Sequence, residues 1–253
     1  MFPTLFQIGI LKINTYYVLW AVALITFLLF TKLRAVRLFG MDGDDVASVM
    51  MWIYCFGILG SLLGNIIGKI SIHSYAHVLK GGMASAPGML CGGLAGIYRL
   101  RRLNMSVEKF SEAATVPAAA MFAIGRMGCF FNGCCFGKIS TESCGGIFLV
   151  HFPFDAIGVM RYPVQVLESL IMSMLIIAFL IIESLLGEDK IREGRGTFIF
   201  PIYIIVYGAS RLYFDTLRAD IMFSTVYWVG AVVFGCAWLC WGLCKGTYGR
   251  RSV

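Results

Sequence analysis

Charge is what this sequence has least of. Asp, Glu, Lys and Arg make up 14% of its 253 residues, while hydrophobic residues make up 59%. Ordinary globular domains carry about 25% charged and about 45–50% apolar residues. The shortage excludes a soluble domain of useful size. Even the longest polar stretch, roughly 138–161, is interrupted by Phe148-Leu149-Val150 and Phe152-Pro153-Phe154. Repeats of fixed period and low-complexity linkers are absent, and no inverted repeat of the transporter kind is visible. No basic segment precedes the first apolar run, and Lys32, Arg34 and Arg37 follow it. That run is expected to remain as a span and not to be a cleavable signal peptide.

What fills the chain instead is apolar run after apolar run. Seven candidate spans fall at about 15–31, 46–68, 83–98, 114–131, 163–186, 197–214 and 223–244. Each approaches the ~20 residues that cross a ~30 Å hydrocarbon core. The expected fold is all-α: a polytopic integral membrane protein with about seven transmembrane helices, forming a single transmembrane domain over 1–253. Gly57, Gly60, Gly64 and Gly68 recur at helical spacing, as in close small-xxx-small helix packing. The third span, from Gly81 to Gly96, packs glycines around Pro87 and reads as a segment where the helix breaks. A break is tolerated only where protein or a water-filled cavity surrounds the freed backbone. Its glycines serve either packing or the exposure of backbone beside a ligand headgroup.

The basic residues orient the chain. With the N-terminus outside, thirteen of the 21 Lys and Arg fall on the inner side, six on the outer side and two in or near the membrane. The C-terminus is then cytoplasmic. The net charge of +7 is mostly a topology signal. Spread over short loops, it does not form a nucleic-acid surface, although it adds a modest pull towards anionic lipid headgroups.

The two arginines left over carry the chemistry. Arg126 lies inside an apolar, glycine-flanked run, between Gly125 and Met127-Gly128, and Arg211 lies at the end of the run 198–213. An arginine at mid-membrane costs roughly 2.5–3.5 kcal/mol on insertion scales, so each is expected to have a partner or a ligand. Asn132, Gln165, Glu168 and Asp215 fall at similar depth towards the outer leaflet. Pro163 suits a helix start, and Arg211 and Asp215 stand one turn apart on a shared face. Forked, permanently charged guanidinium groups match phosphate oxygens. The group is therefore expected to bring Arg126 and Arg211 together on an anion, with Glu168 and Asp215 orienting them. The competing reading is a structural ion pair such as Arg211 with Asp215.

Nine cysteines remain. Cys55, Cys91, Cys236, Cys240 and Cys244 lie on spans and read as small apolar core residues. Cys129, Cys134, Cys135 and Cys144 cluster at the outer face. A disulfide, free structural thiols and a reactive thiol are all open. A zinc site lacks the usual paired short spacing, so neither metal nor cofactor is expected.

Three motifs together resemble prolipoprotein diacylglyceryl transferase. They are Gly125-Arg126-x-Gly128-x-x-x-Asn132-Gly133-x-x-x-Gly137, Tyr162-Pro163-x-Gln165-x-x-Glu168, and Tyr207-Gly208-x-x-Arg211-x-x-x-Asp215-x-x-Arg218. Their order and spacing cover nearly the whole chain. The resemblance implies an enzyme of the bacterial inner membrane. It would move the diacylglyceryl group of phosphatidylglycerol onto the lipobox cysteine thiol of a prolipoprotein signal peptide, releasing glycerol phosphate. It implies Arg126, Arg211 and Glu168 as catalytic residues. Gly125, Gly128, Asn132, Gln165, Tyr207 and Asp215 would contact substrate. The sequence also departs from the family pattern. Pro87 stands in the place of a histidine, Tyr162 in the place of another, Cys129 and Cys134 align with an asparagine and a glutamate, and Asn65 lies near an expected arginine. A proline cannot take a proton, which leaves His73, His77, Tyr162 and Tyr207 as candidate bases. A paralogue acting on another acceptor and an inactive lipid-binding protein are the alternatives.

Overall fold

The computed structural model describes residues 4–8, 11–71, 85–140, 149–153, 155–156, 159–187, 191, 198–218 and 225–244. Among them, two strands and seven long helices follow in order: β1 (Thr4–Ile8), β2 (Leu11–Asn14), α1 (Thr15–Phe39), α2 (Gly43–Ser71), α3 (Ser85–Arg102), α4 (Val107–Asn132), α5 (Val164–Leu186), α6 (Ile199–Leu217) and α7 (Thr225–Cys244). Five helices are long and apolar enough to cross a membrane: α1, α2 over Gly43–Ile67, α4, α5 and α7. Their outer faces expose apolar side chains such as Ile25 and Phe30 on α1, Ile58 and Leu62 on α2, and Ile177 and Ile181 on α5. Surfaces of this extent are foreign to a soluble monomer.

Local chemistry sets the helix ends. Gly40, with φ +62°, stops α1, and the Asp42 carboxylate accepts the Asp44 and Asp45 N–H groups at 2.9 and 3.0 Å to cap α2. Ser106 caps α4 through the Lys109 N–H. The α1 and α4 helices extend past the apolar runs that announced them, because backbone hydrogen bonding does not stop where hydropathy does. The antiparallel hairpin of β1 and β2 was not anticipated. It is short, and its Thr, Phe and Ile content suits a pleated surface.

The chain divides into two compact units, Lys32–Ser111 and Met1–Thr31 with Glu112–Val253. In the first, α2 and α3 pack backbone to backbone. A Cβ on Gly60 would meet Cys91 Cβ at 2.5 Å, on Gly88 the Gly57 carbonyl at 2.9 Å, and on Gly92 the Ile53 carbonyl at 2.9 Å. The expected break at Pro87 is corrected here, since α3 is regular from Ser85. Pro87 sits in its first turn, where a missing N–H costs nothing. Gly57, Gly60, Gly64, Gly88, Gly92 and Gly96 serve packing, and only Gly93 of the α3 glycines faces open space.

In the second unit, Ser169 Oγ donates to the Ala123 carbonyl at 3.0 Å and ties α5 to α4. The buried Glu112 carboxylate accepts the Phe200 N–H at 3.0 Å, satisfying a free donor where the α6 dipole is positive. On α6, a Cβ at Gly208 would meet Val232 Cγ2 at 2.8 Å and the Trp228 carbonyl at 3.3 Å. That glycine lets α7 lie close.

Gly92→Ala is expected to destabilise the purified protein by about 1–3 kcal/mol, since a carbonyl cannot yield as a flexible side chain can. Gly93→Ala is expected to be neutral or to gain up to about 1 kcal/mol of helix propensity. Apparent melting temperatures in detergent read both.

Candidate active site

The helices α4, α5 and α6 converge on one carboxylate. Pro163 occupies the N-cap of α5, and the helix then carries Gln165 and Glu168 at a spacing that puts both on one face. Both are buried. Glu168 Oε1 accepts a hydrogen bond from Arg211 Nη1 of α6. Glu168 Oε2 lies 2.5 Å from Arg126 Nε of α4. Arg211 Nη2 reaches Asp215 Oδ1, one turn further along α6, at 3.1 Å. Arg126, Glu168, Arg211 and Asp215 thus form a continuous chain of alternating charge. The approach of Arg126 to Arg211 that the sequence suggested takes place across Glu168.

Aromatic rings wall this chain. The Arg211 guanidinium lies 5.1 Å over the Trp228 ring of α7, where the closeness allowed by Gly208 brings it. Tyr207 meets Trp228 edge-on at 5.4 Å, Phe122 at 4.9 Å and Tyr203 in a stack at 5.8 Å. Dry walls strengthen every electrostatic contact inside them. Arg126 and Asp215 are the more open members, with side chains 15% and 19% exposed. They mark the mouth.

Hydrogen-bonding capacity is left over. Arg211 Nε and Gln165 Oε1 are buried without a hydrogen-bond partner, while Glu168 Oε2 is engaged by the ion pair with Arg126. A buried donor left unmet costs about 1–3 kcal/mol, so an unspent guanidinium N–H marks a place for an acceptor. An anionic ligand with several oxygens meets that need.

The other expected residues take distinct places. Gln165 Nε2 donates to the Cys134 carbonyl at 2.6 Å and pins the segment after α4. Asn132 ends α4 and is exposed. Gly125 and Gly128 face α1, where a Cβ would meet Trp20 at 3.0 Å and Leu19 at 3.3 Å. His73, His77 and Cys144 lie outside the described residues.

Past α4 the chain doubles back. Gly133, at φ +71°, starts a Schellman motif: the Gly133 N–H bonds the Phe130 carbonyl and the Cys134 N–H the Cys129 carbonyl, both at 3.1 Å. The Sγ atoms of Cys129, Cys134 and Cys135 come within 4.8 Å of one another, and all three thiols are free. Beyond them, Lys138 N–H bonds the Leu217 carbonyl at 2.7 Å, and Gly137 N–H bonds the Tyr162 carbonyl at 3.1 Å. Arg161 clasps Asp155 with two hydrogen bonds, 2.7 and 2.8 Å, and lies 4.6 Å over Phe136. The sequence flagged neither this clasp nor Trp228. The clasp joins residues six apart in an irregular loop, and Trp228 reads as one more apolar residue of its span.

The family model described as prolipoprotein diacylglyceryl transferase matches residues 3–242. A protein of Clostridium tetani named phosphatidylglycerol–prolipoprotein diacylglyceryl transferase is 30% identical over 224 residues, covering 87% of this chain and 86% of its own. One of the same name from Geobacter sulfurreducens is 27% identical, covering 85% and 82%. Another, from Hydrogenovibrio crunogenus, is 31% identical, covering 71% and 68%.

Glu168→Gln leaves two buried guanidinium groups facing each other. Removing one partner of a buried ion pair costs about 3–5 kcal/mol, so its melting temperature in detergent should fall well below that of Asp215→Asn. The clasp carries a pH signature. Arg161 holds the Asp155 carboxyl below its ordinary range. Its contribution to stability is therefore full above the unfolded pKa of about 3.9 and is lost as pH falls through the lower folded value. Asp155→Asn should flatten that acid limb of the melting curve.

Proposed function

This chain belongs to the prolipoprotein diacylglyceryl transferase family, and from that premise we infer that it moves the diacylglyceryl group of phosphatidylglycerol onto the lipobox cysteine of a prolipoprotein. One observation carries the reading to this chain's own residues: two arginines share a buried carboxylate, and Arg211 Nε is left without a hydrogen-bond partner.

The chemistry follows from the charges. The acceptor thiol, as thiolate, attacks the glycerol carbon that bears the phosphate. The carbon–sulfur bond forms, the carbon–oxygen bond breaks, and its electron pair leaves on glycerol phosphate. Negative charge therefore grows on the phosphate, where Arg126 and Arg211 stabilise it from fixed positions in a dry pocket. Glu168 holds both guanidinium groups in place before lipid arrives, and Asp215 balances Arg211. Gln165 fixes the turn after α4, Tyr207 helps to exclude water, and Asn132 meets substrate at the mouth. Gly125 and Gly128 shape the site by admitting α1.

The setting is a bacterial inner membrane. Here α3 and α6 join the five apolar helices as spans, with the N-terminus outside and the C-terminus cytoplasmic. At 1.5 Å per residue each runs for about 27–29 Å, close to a hydrocarbon core. Arg211 and Asp215 lower the hydropathy of α6.

Purified protein with phosphatidylglycerol vesicles and a lipobox peptide tests this. Wild-type protein is expected to diacylglycerate the Cys peptide and not its Ser counterpart. Arg126→Ala and Arg211→Ala should each lower the rate by about 10²–10³-fold, and Arg211→Lys should not restore it, since an ammonium lacks the fork. Wild-type protein that binds phosphatidylglycerol yet transfers nothing to the Cys peptide overturns the assignment.

A further inference from the structure

The three thiols at the end of α4 have no part in the phosphate chemistry. Two of them meet for an ordinary reason, because a Schellman motif folds the residue after its glycine back over the last helical turn. That residue is Cys134 and the turn carries Cys129. Capping does not account for the third. Cys135 adopts φ +60°, a left-handed conformation costing a residue with a Cβ roughly 1–2 kcal/mol, and all three sulfurs lie within 4.8 Å of one another. A disulfide uses two thiols and strands one. A thiophilic cation uses all three: with metal–sulfur bonds of about 2.3 Å, tetrahedral sulfurs stand about 3.8 Å apart, so each needs to move by about 1 Å at most.

Placement adds a role. Cys129 follows Arg126 by three residues on α4, and Gln165, which holds the Cys134 carbonyl, precedes Glu168 by three on α5. Cys129 therefore lies one helical turn from the charge chain on α4, and the Cys134 carbonyl is held one turn from it on α5. Cys129 is buried and Cys134 and Cys135 are half-buried, so the cluster is open on its loop side. Three thiolates around a divalent ion carry one net negative charge, and Arg126 and Arg218 are the nearby cations. Within the charge chain the arginines do not deprotonate, and both carboxylates are already held by them, which leaves the acceptor thiol without an unengaged base there.

We propose that Cys129, Cys134 and Cys135 form a three-thiolate site for a zinc-type d10 cation, whose fourth position receives the acceptor thiol. Three protein ligands and one open position is the pattern of catalytic zinc, and a coordinated thiol gives up its proton. The proton passes to water. The sulfur then forms the carbon–sulfur bond as the carbon–oxygen bond breaks, with that electron pair leaving on phosphate and the ion unchanged in oxidation state. The fourth-ligand role rests on the transferase reading; the three-thiolate site does not.

The full-length protein in detergent, reduced and stripped of metal, is titrated with Zn²⁺ and with Co²⁺. One equivalent is expected to bind, with sulfur-to-cobalt charge-transfer absorption. Cys134→Ser and Cys135→Ser should abolish both while melting like wild type, and Cys240→Ser, an exposed change on α7, should keep both. No bound metal, binding unchanged in the two serine variants, or a disulfide among the three in protein isolated without reductant overturns the site. A Cys lipobox peptide should then shift the cobalt spectrum where its Ser counterpart does not. Transfer that survives complete metal removal overturns the fourth-ligand role and leaves the transferase reading standing. Metal held by all three cysteines without any transfer defeats the transferase reading instead.

Discussion

The site depends on one buried carboxylate. Without Glu168, Arg126 and Arg211 would be two like charges in a dry enclosure, each facing a desolvation penalty of several kcal/mol. With it, three helices acquire a fixed meeting point. Arg126 comes from α4, Glu168 from α5 and Arg211 from α6. The apolar packing around them serves that meeting. Ser169 binds the Ala123 carbonyl one residue beyond Glu168, and Gly208 brings Trp228 beneath Arg211.

The same faces that carry the charges also organise the loop segments beyond α4. Gln165 reaches the turn after α4 from one helical turn before Glu168. The end of α6 binds the segment after that turn through the Leu217 carbonyl. The mouth is therefore built largely by backbone exchange, which explains how half-buried cysteines and a clasped loop can sit beside a charge cluster without loosening it.

Much of this is legible in the sequence, because charge in an apolar run is rare and therefore informative. Arg126, Glu168, Arg211 and Asp215 stand out against their surroundings, and helical spacing alone puts Arg211 and Asp215 together. What fails is the reading of glycine and proline by type alone. Gly88, Gly92 and Pro87 look like helix breakers, yet the proline falls in a first turn and the glycines face another backbone. The thiol cluster is legible as a grouping of cysteines, but the contact of its three sulfurs is not, for a different reason. Its spacing is unremarkable until Gly133 reverses the chain, and that reversal is a property of backbone geometry and not of the cysteines.

The charge count bears on how such a site favours reaction over binding. The two arginines and two carboxylates sum to zero, so the four side chains together are neutral and tolerable in a membrane. A phosphodiester brings one negative charge, and its departure as a monoester brings nearly a second. A donor without a protein partner, Arg211 Nε, gains most from the later, more charged species. Interactions that strengthen towards the transition state are the ones that raise the rate. On this reading Glu168 does more than hold the arginines still: by sharing one carboxylate between two guanidinium groups, it leaves Arg211 Nε unmet, and that deficit is met most fully as the leaving group forms.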